Sequence, residues 1–526
     1  MRRSYRGSPE AREARPTQML LLPVLFLMAP LLRAAPTCSP LSISVSSPLQ
    51  VLPSTFASWT IDPSRNRLFF DVNFSDPHLL YLATHIGGGL LRWGGGGADE
   101  ITYGGFGGLP SCDAPQPFAY ECLNKTTLDA VVALATATRS SLVFAFNVHP
   151  LFGPSPPLAP WNATAARGVL QYLRAQRAPL LGVECGNELN HHGFTATQQS
   201  AAFDVLSALL RELWPDPAQR PALVGPDADG AGNSPSPLEM VDYLAQFVGA
   251  RAGDLSAVTH HEYLQVNSTS VLDPAYLDHT AQIARAVVEG IRRVNASVPI
   301  WAGECGPHTG NSVGNSTVGT CGDNRLCGRF GSMIWYADAL GSKANAGYEA
   351  FFRQDLVGAS YALINTSVPS QPPSSASASA SAMRFTPSPD YYFLLLWRRL
   401  IGRQVLSVAL SGPSTLRAYA FCSLQQGSAL ALVLLNLDAQ PACLAPPSFL
   451  PQGAELTYYT FTPGTQGEGV ESWGVQLNGE LLQLSAEGLL PNLPGRRAAS
   501  AGGISVPPTS VSLVLLPAAS PLPACA

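Results

Sequence analysis

Eight short apolar runs between residues 55 and 400 alternate with segments whose apolar residues recur every three to four positions. The runs are FASWTID, GGLLRWGG, SLVFAFNV, LLGVECGNE, PALVGPD, SAVTHHEY, PIWAGE and AGYEAFFRQ. Segments with helical spacing include 126–138, 165–177, 198–213 and 277–294. Strands that alternate with helices pair in parallel through helical crossovers. The pattern predicts a (β/α)8 TIM barrel over residues 55–400, and an open parallel sheet is the alternative.

The pattern changes after Arg403. The runs LRAYAFCSL, SALALVLLNL, AELTYYTFT, VQLNGELLQL and SVSLVLLP are separated by Gly/Pro turns and lack helical spacing. Short strands of this kind are typical of a β-sandwich. We therefore predict an α/β barrel followed by a C-terminal all-β sandwich over residues 401–526, to which residues 36–54 add an N-terminal strand. Residues 370–382 (SQPPSSASASASA) have low complexity and predict a surface loop.

The chain begins with a basic segment, the apolar run MLLLPVLFLMAPLL and small residues. This run of 14 residues contains two prolines and is short for a membrane span of about 20 residues. We predict that residues 1–35 are a cleaved secretory signal. We also expect no stable membrane span in the mature chain, and a location outside the cell or in a lysosome-like or vacuole-like compartment.

The ten cysteines and the Asn-X-Ser/Thr sequons agree with export into an oxidising compartment. The seven sequons predict N-glycosylation at Asn73, Asn124, Asn162, Asn267, Asn295, Asn315 and Asn365. Spacing favours local disulfides Cys112–Cys122 and Cys321–Cys327 over metal sites. The residues leave open whether Cys185 and Cys305 are free or bonded to each other, and how Cys38 and Cys443 pair.

Charge argues against several partners. Only 13% of residues are charged and the net charge is −5, which disfavours nucleic acid as a partner. A strongly anionic polymer would need a local cluster of basic residues.

Candidate chemistry is concentrated at two strand ends, at Glu188 in PLLGVECGNELN and Glu304 in VPIWAGECG. The intervening chain accommodates three strand–helix units. Barrel active sites lie at the C-terminal ends of the strands, where two facing carboxyl groups hydrolyse glycosidic bonds. The sequence therefore predicts a glycosidase pair that needs no metal or organic cofactor.

Other polar residues in these runs have simpler interpretations. Glu184 is expected to point into the barrel and pair with Arg92, because buried charges need partners. GGGGADE lacks the spacing of a dinucleotide loop. His149 and the pair His191–His192 lack convincing zinc spacing.

The order and spacing of SWTID, LLRWGG with Asp99, LVFAFN, CGNELN, VGPD, THHEY, WAGE, FFRQDLVGASY, VQLNG and LPACA resemble the heparanase family of retaining β-glucuronidases. The similarity covers nearly the whole mature chain. It implies a barrel packed on a β-sandwich, and a glycan substrate that contains uronic acid. It also implies a disulfide between Cys422 and Cys525.

The resemblance assigns roles position by position. Glu188 corresponds to the proton donor, Glu304 to the nucleophile, and Asn187 to the contact with the sugar 2-hydroxyl. The expected subsite residues are Asp62, Gly95 and Gly96 of the Gly94–Gly97 loop, Gln354, Tyr361, His261 and Tyr263. In HHEY, His261 and Tyr263 fit the family pattern, whereas His260 with Glu262 is the other register; Tyr263 would hydrogen-bond Glu304.

Departures from the family affect the expected substrate. After GPD the mammalian enzyme has basic and amide residues that grip sulfated sugars, whereas this chain has Ala228-Asp229-Gly230-Ala231-Gly232. A heparan-type substrate is therefore disfavoured. The alternatives to a β-glucuronidase are a catalytically silent glycan-binding relative and a glycosidase of the same clan with another sugar specificity.

Overall fold

The computed structural model describes residues 38–64, 69–114, 121–148, 161–230, 237–308, 326–367 and 384–525. The predicted signal segment, the 370–382 loop, Asn315 and Cys321 lie outside these residues. No helix within the described ranges combines the length and the apolar character that crossing a membrane requires.

The elements of the described residues follow in chain order. The first twelve strands are β1 Leu41–Ile43, β2 Gln50–Val51, β3 Ala57–Ile61, β4 Leu90–Trp93, β5 Ile101–Tyr103, β6 Glu121–Leu123, β7 Ser141–Phe146, β8 Leu180–Cys185, β9 Ala222–Ala228, β10 Ala257–Tyr263, β11 Ile300–Gly306 and β12 Ala350–Arg353. The remaining strands are β13 Ile364–Ser367, β14 Arg384–Pro387, β15 Ile401–Leu406, β16 Val408–Leu410, β17 Leu416–Ser423, β18 Leu430–Asn436, β19 Ala442–Leu444, β20 Glu455–Pro463, β21 Val475–Leu477, β22 Glu480–Leu481, β23 Arg496–Ala499, β24 Ile504–Val506 and β25 Ser510–Leu516. The helices are α1 Pro77–His85, α2 Lys125–Ala137, α3 Thr164–Ala175, α4 Ala196–Leu213, α5 Pro237–Ala250, α6 Pro274–Val294, α7 Phe330–Ala346 and α8 Pro389–Leu400.

Strands β3, β4 and β7 to β12 close into a parallel barrel in chain order. They coincide with the eight predicted apolar runs, so the barrel prediction is confirmed and the open sheet is wrong. Helices cover the outside of the barrel, and side chains fill its inside. Because both faces of a barrel strand are buried, the runs are almost continuously apolar rather than alternating.

The sandwich contains a nine-stranded sheet in the order β2-β15-β17-β18-β25-β20-β21-β22, with β23 also paired to β20. The N-terminal segment joins this module, since β1 pairs with β16 and β2 with β15. Side chains of β18 alternate between two cores. Val433 packs with the barrel core, whereas Leu432 and Leu434 pack inside the sandwich.

Disulfides tie the sandwich to both ends of the described chain. Cys422–Cys525 and the local Cys112–Cys122 bond are present as expected, and Cys38 pairs with Cys443. Cys327 is also disulfide-bonded. Of the cysteines in the described ranges, Cys185 and Cys305 are buried free thiols.

Candidate active site

Glu188 and Glu304 face each other at the C-terminal end of the barrel. Glu304 lies within β11, and its side chain is 4% exposed; Glu188 lies just past β8, and its side chain is 25% exposed. One carboxylate oxygen of each lies within 4.8 Å of the other. Gly186 and Glu188 both have positive φ, +78° and +51°, and the Glu188 N–H donates to the Asp227 carbonyl at 2.9 Å. This turn presents Glu188 at the mouth of the barrel.

Arg92 on β4 crosses the barrel interior and contacts four side chains. Its guanidinium donates to Glu184 at 2.8 Å, to Glu304 and Asp227 at 2.9 Å each, and to Asn187 at 3.3 Å. The Arg92–Glu184 pair predicted from the sequence is confirmed. The contacts to Glu304 and Asp227 were missed, because a strand sequence does not reveal which side chains meet across a barrel.

The charges in this network are unequal in number, since one guanidinium serves three carboxyl groups. Burial raises the pKa of Asp227, but Arg92 and His261 lower it more, so the net shift is well below the usual range. Burial and the negative charge of Asp227 hold the pKa of Glu184 well above its ordinary value. Asp227 therefore keeps its charge more readily than Glu184 does.

His261 and Tyr263 on β10 both reach the carboxylate pair. The His261 Nδ1 lies 2.8 Å from Glu188 Oε1, and its Nε2 lies 3.4 Å from Asp227 Oδ1. The Tyr263 hydroxyl donates to Glu304 Oε1. Burial lowers the pKa of His261, but the surrounding carboxylates raise it by more, so the net pKa is raised to about 10. Of the two registers left open by the sequence, His261 and Tyr263 face the site.

The other register points away from the site. His260 Nε2 lies 2.8 Å from the Tyr348 hydroxyl, and the Lys343 ammonium lies 2.5 Å from Glu262. All four side chains lie between β10 and the α7 side of the barrel wall, buried from solvent. We call this group the wall cluster.

Asp62 and the glycine loop form a second polar patch beside the carboxylates. The Gly97 N–H donates to Asp62 Oδ1 at 3.0 Å. Gly95 has φ +121°, and a Cβ there would lie 2.3 Å from the Asp62 carboxylate, so the position requires glycine. A Cβ on Gly96 would meet no atom within 4 Å. The loop therefore leaves room for a ligand above Gly96.

Gln354 and Tyr361 are fully buried. The Gln354 amide donates to Asp62 Oδ2 at 3.1 Å and accepts from the Thr60 hydroxyl. Tyr361 packs with Tyr263, with ring centroids 6.4 Å apart. In this conformation both residues support Asp62 and Tyr263 rather than face solvent.

Two further aspartates flank the site. The Asn187 N–H donates to the buried carboxylate of Asp99 at 3.0 Å, and burial raises the pKa of Asp99. The Asp229 carboxylate lies 3.5 Å from His191 Nδ1. Burial and the neighbouring Glu188 raise the pKa of Asp229 to about 6.

The three side chains Glu188, His261 and Glu304 bring ligand-type atoms within 4.8 Å of one another. Each of these groups already has hydrogen-bond partners: His261 with Glu188, and Arg92 and Tyr263 with Glu304. The Arg92 charge also opposes a cation here. The arrangement therefore fits acid/base and nucleophilic chemistry better than metal binding.

Comparisons with known proteins point to glycoside hydrolases. The family model for the glycosyl hydrolase family 79 N-terminal domain matches residues 112–341. Heparanase-like protein 3 of Arabidopsis thaliana is 26% identical over 60% of this chain, a match that spans 55% of that relative's length. Baicalin-beta-D-glucuronidase of Scutellaria baicalensis is 24% identical over 83% of this chain and 82% of its own. Mouse heparanase is 26% identical over 76% of this chain and 70% of its own.

Solved structures agree on the fold. A 4-O-alpha-L-rhamnosyl-beta-D-glucuronidase from Fusarium oxysporum superposes with a TM-score of 0.58 at 14% identity, covering 91% of this chain and 99% of its own. A family 51 alpha-L-arabinofuranosidase from Bifidobacterium longum gives 0.61 at 14% identity, with 91% and 100% coverage.

Proposed function

Because this chain belongs to the heparanase and β-glucuronidase family of glycoside hydrolases, we propose that it cleaves β-glucuronide linkages with retention of configuration. In this proposal Glu304 is the nucleophile and Glu188 the acid/base. Asn187 binds the sugar 2-hydroxyl, and Asp62 with the Gly95–Gly96 segment forms the wall of the subsite.

The observation that carries the proposal is the separation of the two carboxyl groups. Retaining glycosidases hold them about 5–5.5 Å apart, whereas inverting enzymes need about 6.5–9.5 Å to admit a water molecule. One oxygen of Glu188 and one of Glu304 lie within 4.8 Å of each other. This spacing supports direct attack by a carboxylate.

The neighbours of each carboxyl group suit its proposed role. Arg92 and the Tyr263 hydroxyl both donate to Glu304, so they favour the ionised form and fix its direction of attack. Glu188 is the more exposed of the two and contacts His261. It would protonate the leaving oxygen as the glycosyl-enzyme forms. It would then take a proton from the water that hydrolyses this intermediate.

The experiment uses azide to distinguish the two roles. In Glu304→Ala, azide replaces the nucleophile and attacks the activated β-glucuronide directly, so we expect an α-glucuronosyl azide. In Glu188→Ala, azide attacks the glycosyl-enzyme from the opposite side, so we expect the β-azide. Product NMR reads out both. Glu289→Gln, at an exposed position on α6, is the matched control. Exchange of the two anomers between the variants would refute the assignment.

Leaving-group dependence provides a second test. Glu188→Gln should lose far less activity on an aryl glucuronide with a good leaving group than on an alkyl glucuronide, because protonation matters little for the former. Glu304→Gln should lose turnover of every substrate. Equal losses on both substrates in Glu188→Gln would contradict its role as the acid.

We further propose that the substrate is an unsulfated uronic-acid glycan. A uronate needs only a few aimed hydrogen bonds, whereas a polyanion needs several cations along a cleft. Asp229 and Gly230 follow β9 beside Glu188, where the mammalian relatives resembled by the sequence have basic and amide residues. We expect cleavage of β-glucuronides and little retention on heparin at physiological salt. A preference for glucosides, or strong heparin retention, would overturn this substrate class.

We also propose that the protein acts outside the cell or in a lysosome-like compartment. The glycan substrate and the disulfides in the described chain support this location. Expression of the full chain in a secretory host, followed by assay of medium and organelle fractions, tests it; activity confined to the cytosol would refute it.

A further inference from the structure

Asp227 connects to both catalytic carboxyl groups through different side chains. Its Oδ1 lies 3.4 Å from His261 Nε2, and the opposite nitrogen of that ring lies 2.8 Å from Glu188. Its Oδ2 accepts from Arg92 at 2.9 Å, and Arg92 donates to Glu304 at the same distance. The Asp227 carbonyl also accepts the Glu188 backbone N–H.

The backbone at Asp227 is held in an uncommon conformation. Asp227 has φ +57° at the end of β9, and its N–H donates to the Thr259 hydroxyl at 2.8 Å. The residue is fully buried. A non-glycine residue in this region of φ is uncommon, and such positions concentrate at functional sites. The carboxylate is therefore aimed at His261 and Arg92 by the surrounding structure.

We propose that Asp227 is a positioning residue that fixes the proton shared by His261 and Glu188. This inference rests on the proposed function. The Asp227 carboxylate, 3.4 Å from His261 Nε2, favours a proton on that nitrogen electrostatically, and Nδ1 faces Glu188 Oε1. A single proton between Nδ1 and Oε1 is then the one that Glu188 delivers to the leaving oxygen. In the second step Glu188 takes a proton from water, and the same imidazole stabilises the protonated pair again.

The charge of Asp227 is essential to this arrangement. A negative charge beside a titrating group favours the bound proton, so the nearby Asp227 carboxylate keeps His261 protonated to higher pH. The charged and titratable groups around His261 come from four other strand ends and from its own strand: Arg92, Glu184, Glu188, Asp227, Asp229, His260 and Glu304. Of these, Asp227 and Glu188 contact the two ring nitrogens most closely.

The test is the pH profile of kcat/KM for Asp227→Asn, measured in the full chain with an aryl and an alkyl β-glucuronide. The substitution keeps the shape and removes the charge. We expect the basic limb to move to lower pH by roughly 1 unit or more. We also expect kcat on the alkyl glucuronide to fall by about 100-fold, with a smaller loss on the aryl glucuronide. Loss of activity without a shift of the basic limb would overturn the proposal.

Asp338→Asn is the matched control. Asp338 is also buried and ion-paired, to Arg417, and it accepts from the Tyr419 hydroxyl at 2.6 Å. Both substitutions remove a buried carboxylate, but Asp338 does not contact the carboxylate pair. We expect Asp338→Asn to lower the melting temperature without moving the pH profile. A similar shift of the basic limb in both variants would overturn the proposal.

A double-mutant cycle covers the case in which Asp227→Asn folds poorly. His261→Asn keeps an amide near the Nδ1 position and loses the contact to Asp227. In this background Asp227→Asn should move the pH profile no further, because the connection is already broken. Full additivity would refute a relay through His261. The wild type separates the two claims. If it cleaves no β-glucuronide, the proposed function is refuted. If it is active and Asp227→Asn leaves the pH profile unshifted, only the positioning role of Asp227 is refuted.

Discussion

The two faces of strand β10 bury charge in opposite ways. On the inner face, His261 and Tyr263 meet a network in which Arg92 serves the three carboxyl groups of Glu184, Asp227 and Glu304. On the outer face, the wall cluster pairs Lys343 with Glu262 one to one and His260 with Tyr348. Both groups are cut off from solvent. Only in the inner one do three carboxyl groups share a single guanidinium.

This difference distinguishes buried charges that stabilise the fold from buried charges that serve catalysis. Buried ions need partners, and the wall cluster meets that need completely. In the inner network, burial and Asp227 raise the pKa of Glu184, and the surrounding carboxylates raise the pKa of His261 against the effect of burial. Perturbed protonation of this kind is costly for stability and common at active sites. The sharing of one guanidinium among several acids, rather than burial alone, marks the site.

The largest effect should come from breaking the wall cluster. Glu262→Gln leaves the buried Lys343 ammonium without its partner, so we expect a loss of about 3–5 kcal/mol in the free energy of unfolding. Glu262 does not contact the carboxylate pair, so the folded enzyme should retain its kcat. Denaturant unfolding and kinetics of the same samples check both points. Glu262→Gln combined with Lys343→Met should recover part of the stability, and no recovery would contradict a simple ion pair.

Arg92→Lys tests the inner network, where we expect the loss to be in activity rather than in stability. Lysine keeps the positive charge but cannot donate to Glu184, Asp227 and Glu304 together. We expect kcat to fall by about 10²–10³-fold, typical of losing a preorganised donor at the reacting centre. Arg417→Lys, at a partly buried ion pair with Asp338, is the control that should keep its kcat. If both variants lose activity equally, the effect lies in stability rather than in the site.

The sequence predicted the barrel well and the site partly. All eight apolar runs became barrel strands, because a strand buried on both faces has a recognisable run of apolar residues. The antiparallel pair β13–β14 and the parallel pair β5–β6 were not predicted, because their short strands carry little pattern. For Arg92, the pair with Glu184 was predicted, whereas its contacts to Asp227, Glu304 and Asn187 were not.

Asp227 was missed because VGPD looks like any strand end. Its position at the C-terminal end of a barrel strand was the available signal. The choice between His260 and His261 needed the structure for a different reason. Both faces of β10 carry polar residues, and the register between β10 and β11 shifts between these two histidines, so alternation alone could not show which face points inward.

Tyr263→Phe should have a smaller effect than loss of Arg92. It removes one hydrogen bond to Glu304 and keeps the ring that packs on Tyr361. A hydrogen bond to a charged group contributes about 1.5–3 kcal/mol, equivalent to a loss of roughly 10- to 100-fold in kcat. Tyr348→Phe removes the matching hydroxyl from the wall cluster and should leave kcat unchanged. Steady-state kinetics on an aryl glucuronide would contradict the comparison if the two variants behaved alike.

The smallest effect concerns the two adjacent histidines, whose contributions to the stability of the fold should change with pH in opposite directions. Burial and Lys343 lower the pKa of His260 well below its ordinary value. Its contribution is therefore present above about pH 6.5, the ordinary histidine pKa, and is lost as the pH falls. His261 has its pKa raised to about 10, so its contribution is present below about pH 6.5 and is lost as the pH rises through 10. We expect His260→Gln to flatten the acid side of the melting-temperature profile and His261→Gln the alkaline side. Thermal melts from pH 4 to 10 check this, and the same change in both variants would show that the two faces of β10 titrate alike.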